Sequence, residues 1–418
     1  DARLFTYQAR FARMWGEGRA RPAPFLAADA DAPPPDALPQ PLDLAALRRW
    51  FKAPAEQLLR DRLGLRRDAL DGDTLAEDEP LGTRIAPVHA VARRVFLQQV
   101  LPAWPDAAGL DALLAQPPDW LALSGLLPIG RDGAAAWAAE AASVKALMAA
   151  ALECPALQGG ATVDSIGIDL HLPGHDPADA PVHLRGRLGS VLAPAAGQGW
   201  RLLHAFPRAG EKSGLKAAVD LDFGDQAALF IEWAALRLQT LAQGDARPVQ
   251  ACVLAADAAD WPFARGLQAW DAALVVAHAA GDARPHQRLA ERLRALVHLW
   301  QQAQAEPPAY FPRASWKAHV AAREAADPLG EDIAAVARAA NSGWVSHDGD
   351  SGERDRRPGY TRLLAGELSF GDQVGDPGHA TLAALLAYAE RLAGLLRPDV
   401  EVDAVPDADA DRRGEGVP

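Results

Sequence analysis

Between Val163 and Phe206 the spacing of apolar residues changes from the helical period of 3.6 to a period of 2, and no other feature constrains the fold as strongly. Residues 163–172, 182–192 and 200–206 each alternate apolar with polar side chains and are separated by Gly, Pro and Asp, which predicts three strands in an antiparallel meander. An amphipathic helix over 227–241, a buried strand over 249–254 and a long helix over 287–304 follow. Upstream the pattern is helical. Leu44, Leu47 and Phe51 share a helical face with Asp43 placed to cap it, and Pro54 ends that helix and suits the first turn of the next, 55–63. Further helices are expected over 84–101, 106–115 and the Ala-rich stretch 134–152, the last preceded by the break Gly125 to Gly130. The fold class is therefore α/β (α+β), with a helical first half and a sheet-containing second half. There is no internal repeat.

A chain of 418 residues with 49% apolar residues can fill the cores of two or three domains. It begins at Asp1 rather than Met and is read as a piece of a longer protein. Residues 1–18 read as a short helix, 19–41 as a Pro/Ala/Asp-rich linker, and the acidic stretch beyond Pro398 as a disordered tail. The most apolar helix is interrupted by Glu140 and Lys145, so a soluble protein without membrane contact is expected. Cys154 and Cys252 are far apart in the sequence and read as separate buried thiols in a reducing cytoplasm. A net charge of −13 disfavours binding bare duplex over the whole surface, so a nucleic-acid site would have to be local.

The chain has only five lysines, Lys52, Lys145, Lys212, Lys216 and Lys317, and this permits two sharp exclusions. None is preceded by glycine, so no P-loop can be built. The stretch Gly210-Glu211-Lys212-Ser213-Gly214 is a turn that mimics one. None has Asp or Glu two positions before it, the spacing that alternation on a strand demands if carboxylate and ammonium are to face one metal ion and its water. The usual metal-dependent nuclease centre cannot be assembled. His171 and His175, with Asp176 and His183 nearby, could ligate a transition metal. Because Pro173-Gly174 forces a turn, they read as exposed turn histidines, and no metal ligand is expected. The loop Asp348 to Glu353 lacks the ligand pattern of a calcium site, and neither a Gly-x-Ser-x-Gly elbow nor a dinucleotide fingerprint is present.

The segment Leu42 to Pro54, with Leu44, Leu47, Phe51 and Pro54 followed by Arg62-Leu63-Gly64, resembles the start of the C-terminal domain in the RecC family. Asp78-Glu79-Pro80-Leu81, Gly125-Leu126-Leu127-Pro128-Ile129-Gly130, Gly343 to His347 and Gly359-Tyr360-Thr361-Arg362-Leu363-Leu364 follow in the family's order. The resemblance implies a helical subdomain (42–155) and then an inactive restriction-endonuclease-like domain with a central mixed sheet (156–397). Active relatives of that fold carry Gly-x-Ile/Val-Asp on the second strand, Asp/Glu-x-Lys on the third and Gln-x-x-x-Tyr on the next helix. Here Gly186-Arg187-Leu188-Gly189, His204-Ala205-Phe206 and Gln226 to Phe230 stand at those places. Where such relatives have an iron-sulfur cysteine before the proline, this chain has Ala53. The resemblance further implies a hetero-oligomer with the RecB and RecD motors, forked or end DNA as ligand, no catalytic residue, and no cofactor of its own, ATP and magnesium belonging to partner subunits. The arginine-rich stretches suggest the DNA contacts: Arg48, Arg49 and Lys52 beside Trp50 and Phe51, and Arg185, Arg187, Arg201, Lys212 and Lys216 around the strands.

Overall fold

The computed structural model describes residues 40–63, 90–158, 160–173, 181–194, 199–206, 221–255, 261–305, 308–345, 352–356, 370–371, 373 and 377–397. The expected N-terminal helix, most of the linker, the acidic loop before residue 82, Lys212, Lys216 and the tail lie outside them. The chain divides into two compact units. One comprises Asp1–Ala37, Ala53–Leu70 and Gln302–Ala389, the other Leu38–Lys52, Asp71–Gln301 and Glu390–Pro418.

The larger unit holds the sheet. Strands β2 (Val163–Leu172), β3 (Val182–Leu192) and β4 (Trp200–Phe206) span the segments whose alternation predicted them. β2 and β3 form a long antiparallel hairpin, β4 runs antiparallel to β3, and β5 (Val249–Ala255) lies parallel to β4, giving a mixed sheet. Parallel pairing requires a crossover, and helix α7 (Phe223–Ala242) supplies it, its start capped by the Asp222 carboxylate accepting from the Asp225 amide. The helix expected after Asp43 starts there, the Asp43 carboxylate accepting from the Ala45 amide. Leu42–Asp43 is a short strand, β1, parallel to β3 with Leu42 opposite Leu184, and helix α1 (Leu44–Lys52) starts after it.

Alternation assigns each side chain of β4 to one face. Leu203 and Ala205 join Leu192, Cys252 and Leu254 in a core completed by helices α3 (Ala90–Val95), α4 (Ala107–Leu113), α5 (Asp119–Ala122) and α6 (Arg131–Leu152). After α3 the chain continues through a π-helical stretch, Phe96–Val100, that buries Phe96 and Val100. By length and composition α6 could cross a membrane, but it buries Trp137, Val144, Leu147 and Met148 within this core. Its Glu140 is spent there too, accepting from the Ala92 amide at 2.8 Å. The core thus joins the helices of the first half to the sheet.

Helices α8 (Pro262–Ala279) and α9 (Arg284–Ala305) follow β5. Trp270 of α8 packs within 6 Å of Phe230 and Trp233 of α7. Beside them the fully buried Arg237 faces Asp271 at 3.5 Å, an electrostatic contact too long for a strong hydrogen bond, and donates instead to the carbonyl of Arg247.

The second unit is helical and includes α2 (Pro54–Leu63). α10 (Pro312–Glu324) and α11 (Ile333–Trp344) approach so closely that a Cβ on Gly343 would lie 2.8 Å from the Ala314 Cα. The buried Glu353 of α12 (Glu353–Arg356) accepts from the Arg313 and Ala314 amides, satisfying the start of α10. Phe311 packs edge-on or tilted against Trp344 and Phe370 in the core of this unit, with Leu382 and Leu385 of α13 (Pro377–Leu396).

Candidate nucleic-acid interface

The sheet forks. β4 pairs with β3 only at Val191 and Leu192, while β1 lies along β3 at Leu184 and Arg185. Between these points the start of α1 sits directly on the strand, and a Cβ added to Gly186 would meet the Leu44 Cβ at 2.6 Å. The glycine is there because α1 leaves no room for a side chain.

Beside the fork, α1, β4 and α7 assemble a charged cluster. α1 buries Leu44, Leu47, Trp50 and Phe51, which turns Arg48 and Lys52, one helical turn apart, toward α7. Arg48 donates to the buried Glu232, and Lys52 lies 2.6 Å from Asp225. The other Glu232 oxygen is 2.5 Å from Nε2 of His204. Burial and then the Lys52, Arg48 and Arg93 charges, opposed by Asp225, push the His204 imidazole down to about 3. It is therefore neutral at physiological pH, with Nε2 hydrogen-bonded to Glu232. Because an unfolded histidine titrates near 6.5, the unfolded chain gains a proton as pH falls from ~6.5 to about 3 while the folded chain does not. The stability tied to neutral His204 is complete above that window and is lost through it. His204→Gln, which keeps a donor for Glu232, is expected to flatten the acid limb in urea unfolding measured from pH 4 to 7.

A second polar surface lies on the outer face of the hairpin. Ser165, Asp169 and His171 of β2 and His183, Arg185 and Arg187 of β3 alternate out from the buried Leu170, Leu184 and Leu188. Arg185 and Arg187 are exposed on one face, as expected, with Arg187 Nε donating to Ser165 Oγ at 2.8 Å. His171 does not sit in a turn. β2 continues through it, and it pairs across the ladder with His183, the rings stacked 4.3 Å apart. His183 Nε2 reaches Asp169 Oδ1 at 2.6 Å, and the bond holds the carboxyl below its ordinary range.

The remaining sequence candidates divide. Arg49 is exposed beside Asp43, 3.5 Å away. Arg201 is corrected: it is 5% exposed and donates to the Ala156 and Ala193 carbonyls, so it holds the chain around β4 and has no surface to offer DNA. Gln226 and Phe230 are buried, the first donating to the Leu221 carbonyl, the second packed on Trp233 and Trp270. The exposed Arg93, whose charge acts on Arg48 and His204, was missed because about 45 residues separate it from α1; the Arg93-Arg94 pair on a helix was the available signal. The two cysteines are also corrected from separate to neighbouring. Cys252 hydrogen-bonds Cys154 and lowers its thiol to about 6, while the same contact and burial push Cys252 up.

A family model of the RecC C-terminal domain matches residues 39–323. No curated protein matches the chain.

Proposed function

The chain belongs to the RecC family, and from that premise we propose that it is the non-catalytic, DNA-guiding part of a RecBCD helicase-nuclease, aiding duplex splitting, conducting the separated strands and contacting the RecB and RecD motors. Family membership supports a component of that hetero-complex. The non-catalytic role is supported by the residues that stand at the nuclease positions. The order helix, three-stranded meander, helix, parallel strand supports a restriction-endonuclease-like core. In such a core the metal carboxylate would stand at Gly189, which has no side chain to offer, and the acid and lysine of the next strand are replaced by His204 and Phe206. His204 is tied to Glu232, and Phe206 packs toward Trp261. These residues stabilise the fold and hold no metal or water for attack on a phosphodiester.

For DNA contact, Arg185 and Arg187 are the strongest of the sequence candidates, because both are exposed on one strand face, whereas Arg48 and Lys52 are engaged by Glu232 and Asp225. Arg49 and Arg93 extend the positive surface at α1. ATP and magnesium belong to the partner subunits, and the complex acts in the cytoplasm. Replacing Arg185 and Arg187 together by Gln in the assembled complex is expected to lower the salt dependence of forked-DNA binding, the slope falling by about 1.5 for two lost phosphate contacts. An unchanged slope removes both residues from the interface. A scaffold without DNA contact is the second reading, favoured by the net charge of −13 and the paired Arg48 and Lys52. Crosslinking of forked DNA to this chain within the complex separates the two.

A further inference from the structure

We propose that Asp169, His171 and His183 form a binding site for one divalent transition-metal ion of the zinc type on the outer face of the β2–β3 hairpin. The site is a product of register. Asp169 and His171 are two residues apart on β2 and therefore share a face, and His183 stands directly across the ladder from His171. One oxygen or nitrogen from each of the three lies within 4.8 Å of the others. Tetrahedral zinc with bonds of about 2.0–2.2 Å needs donors about 3.4 Å apart, a gap that small rotations of exposed side chains close. Those side chains are free to make them, Asp169 being 58% and His183 30% exposed, while the backbones carrying them are fixed by the hairpin.

The donor set selects the ion. Two imidazoles and a single carboxylate suit zinc, cobalt, nickel or copper, whereas calcium and magnesium require oxygen ligands. On binding, each imidazole donates a ring nitrogen and Asp169 one oxygen. Any proton held between His183 and Asp169 passes to solvent, and water completes the fourth position. Arg185, which stands opposite Asp169 in the ladder, partly offsets the carboxylate charge and limits the affinity. The hairpin gains a cross-strand staple.

The test is titration of the full chain with zinc against a chromophoric chelator, and with cobalt read by its visible absorption. We expect one ion per chain, four-coordinate cobalt bands, and affinity reduced about tenfold or more in His171→Ala and in His183→Ala. Both side chains point outward, so the circular dichroism of the variants should match the parent. The proposal is overturned if the parent binds no ion, or if the double variant His171→Ala/His183→Ala binds with the parent's stoichiometry and affinity, which would place the ion at other histidines or at Cys154 and Cys252.

Discussion

Replacing Glu232 by alanine is expected to lower the unfolding free energy by about 3 kcal/mol, because it removes the shared acceptor of Arg48 and His204. Its side chain is 5% exposed and sits on α7 among residues that are otherwise apolar and buried, so no water replaces the carboxylate. Breaking a buried pair costs about 3–5 kcal/mol, and the lower end applies because Arg48 is 38% exposed and can turn outward. Glu232→Gln keeps the volume and one acceptor and should cost about 1–2 kcal/mol. Urea unfolding followed by tryptophan fluorescence measures both. A loss below about 1 kcal/mol for the alanine variant would mean that the cluster is not held together by this carboxylate.

Gly186→Asp is expected to damage the fold by about 3 kcal/mol or more, because it forces a side chain into space that α1 already fills. The added Cβ meets the Leu44 Cβ at 2.6 Å, and Leu44 cannot swing away because that atom is attached directly to the α1 backbone. The carboxylate would also be placed against a packed helix without a partner. Unfolding of Gly186→Asp, Leu44→Gly and the double variant should show losses that are less than additive, because glycine at position 44 removes the Cβ that clashes. A loss below about 1 kcal/mol for Gly186→Asp would mean that α1 can move off the strand.

The sequence showed the strands of the meander because ten or so alternating residues leave an unambiguous period. It could not show β1, since two residues carry no period and the partner strand lies far along the chain. Helix α11 was also hidden. Its stripe Ile333, Val336, Ala337, Ala340, Trp344 has helical spacing, but Ala-rich surroundings blur the boundary between buried and exposed faces. At the site, Arg48 and Lys52 looked free because their counter-charges, Glu232 and Asp225, are more than 170 residues away. One clue was legible: a lone acid in the apolar run Ala228-Leu229-Phe230-Ile231-Glu232-Trp233-Ala234 needs a buried partner. The Asp169, His171 and His183 cluster depended on cross-strand register, which residue spacing within one strand does not contain.

The pairing of β1 with β3 sets an order of events during synthesis. Residues 42–52 leave the ribosome about 140 residues ahead of the strand they dock on, and α7, which neutralises Arg48 and Lys52, comes later still. At a typical elongation rate of ~5–20 residues per second, α1 would present Leu44, Leu47, Trp50 and Phe51 to solvent for roughly 7 to 28 seconds. Arg48, Arg49 and Lys52, interleaved with those apolar side chains, keep the nascent segment charged through that wait. Basic residues that end in ion pairs in the finished protein thus begin as protection against aggregation.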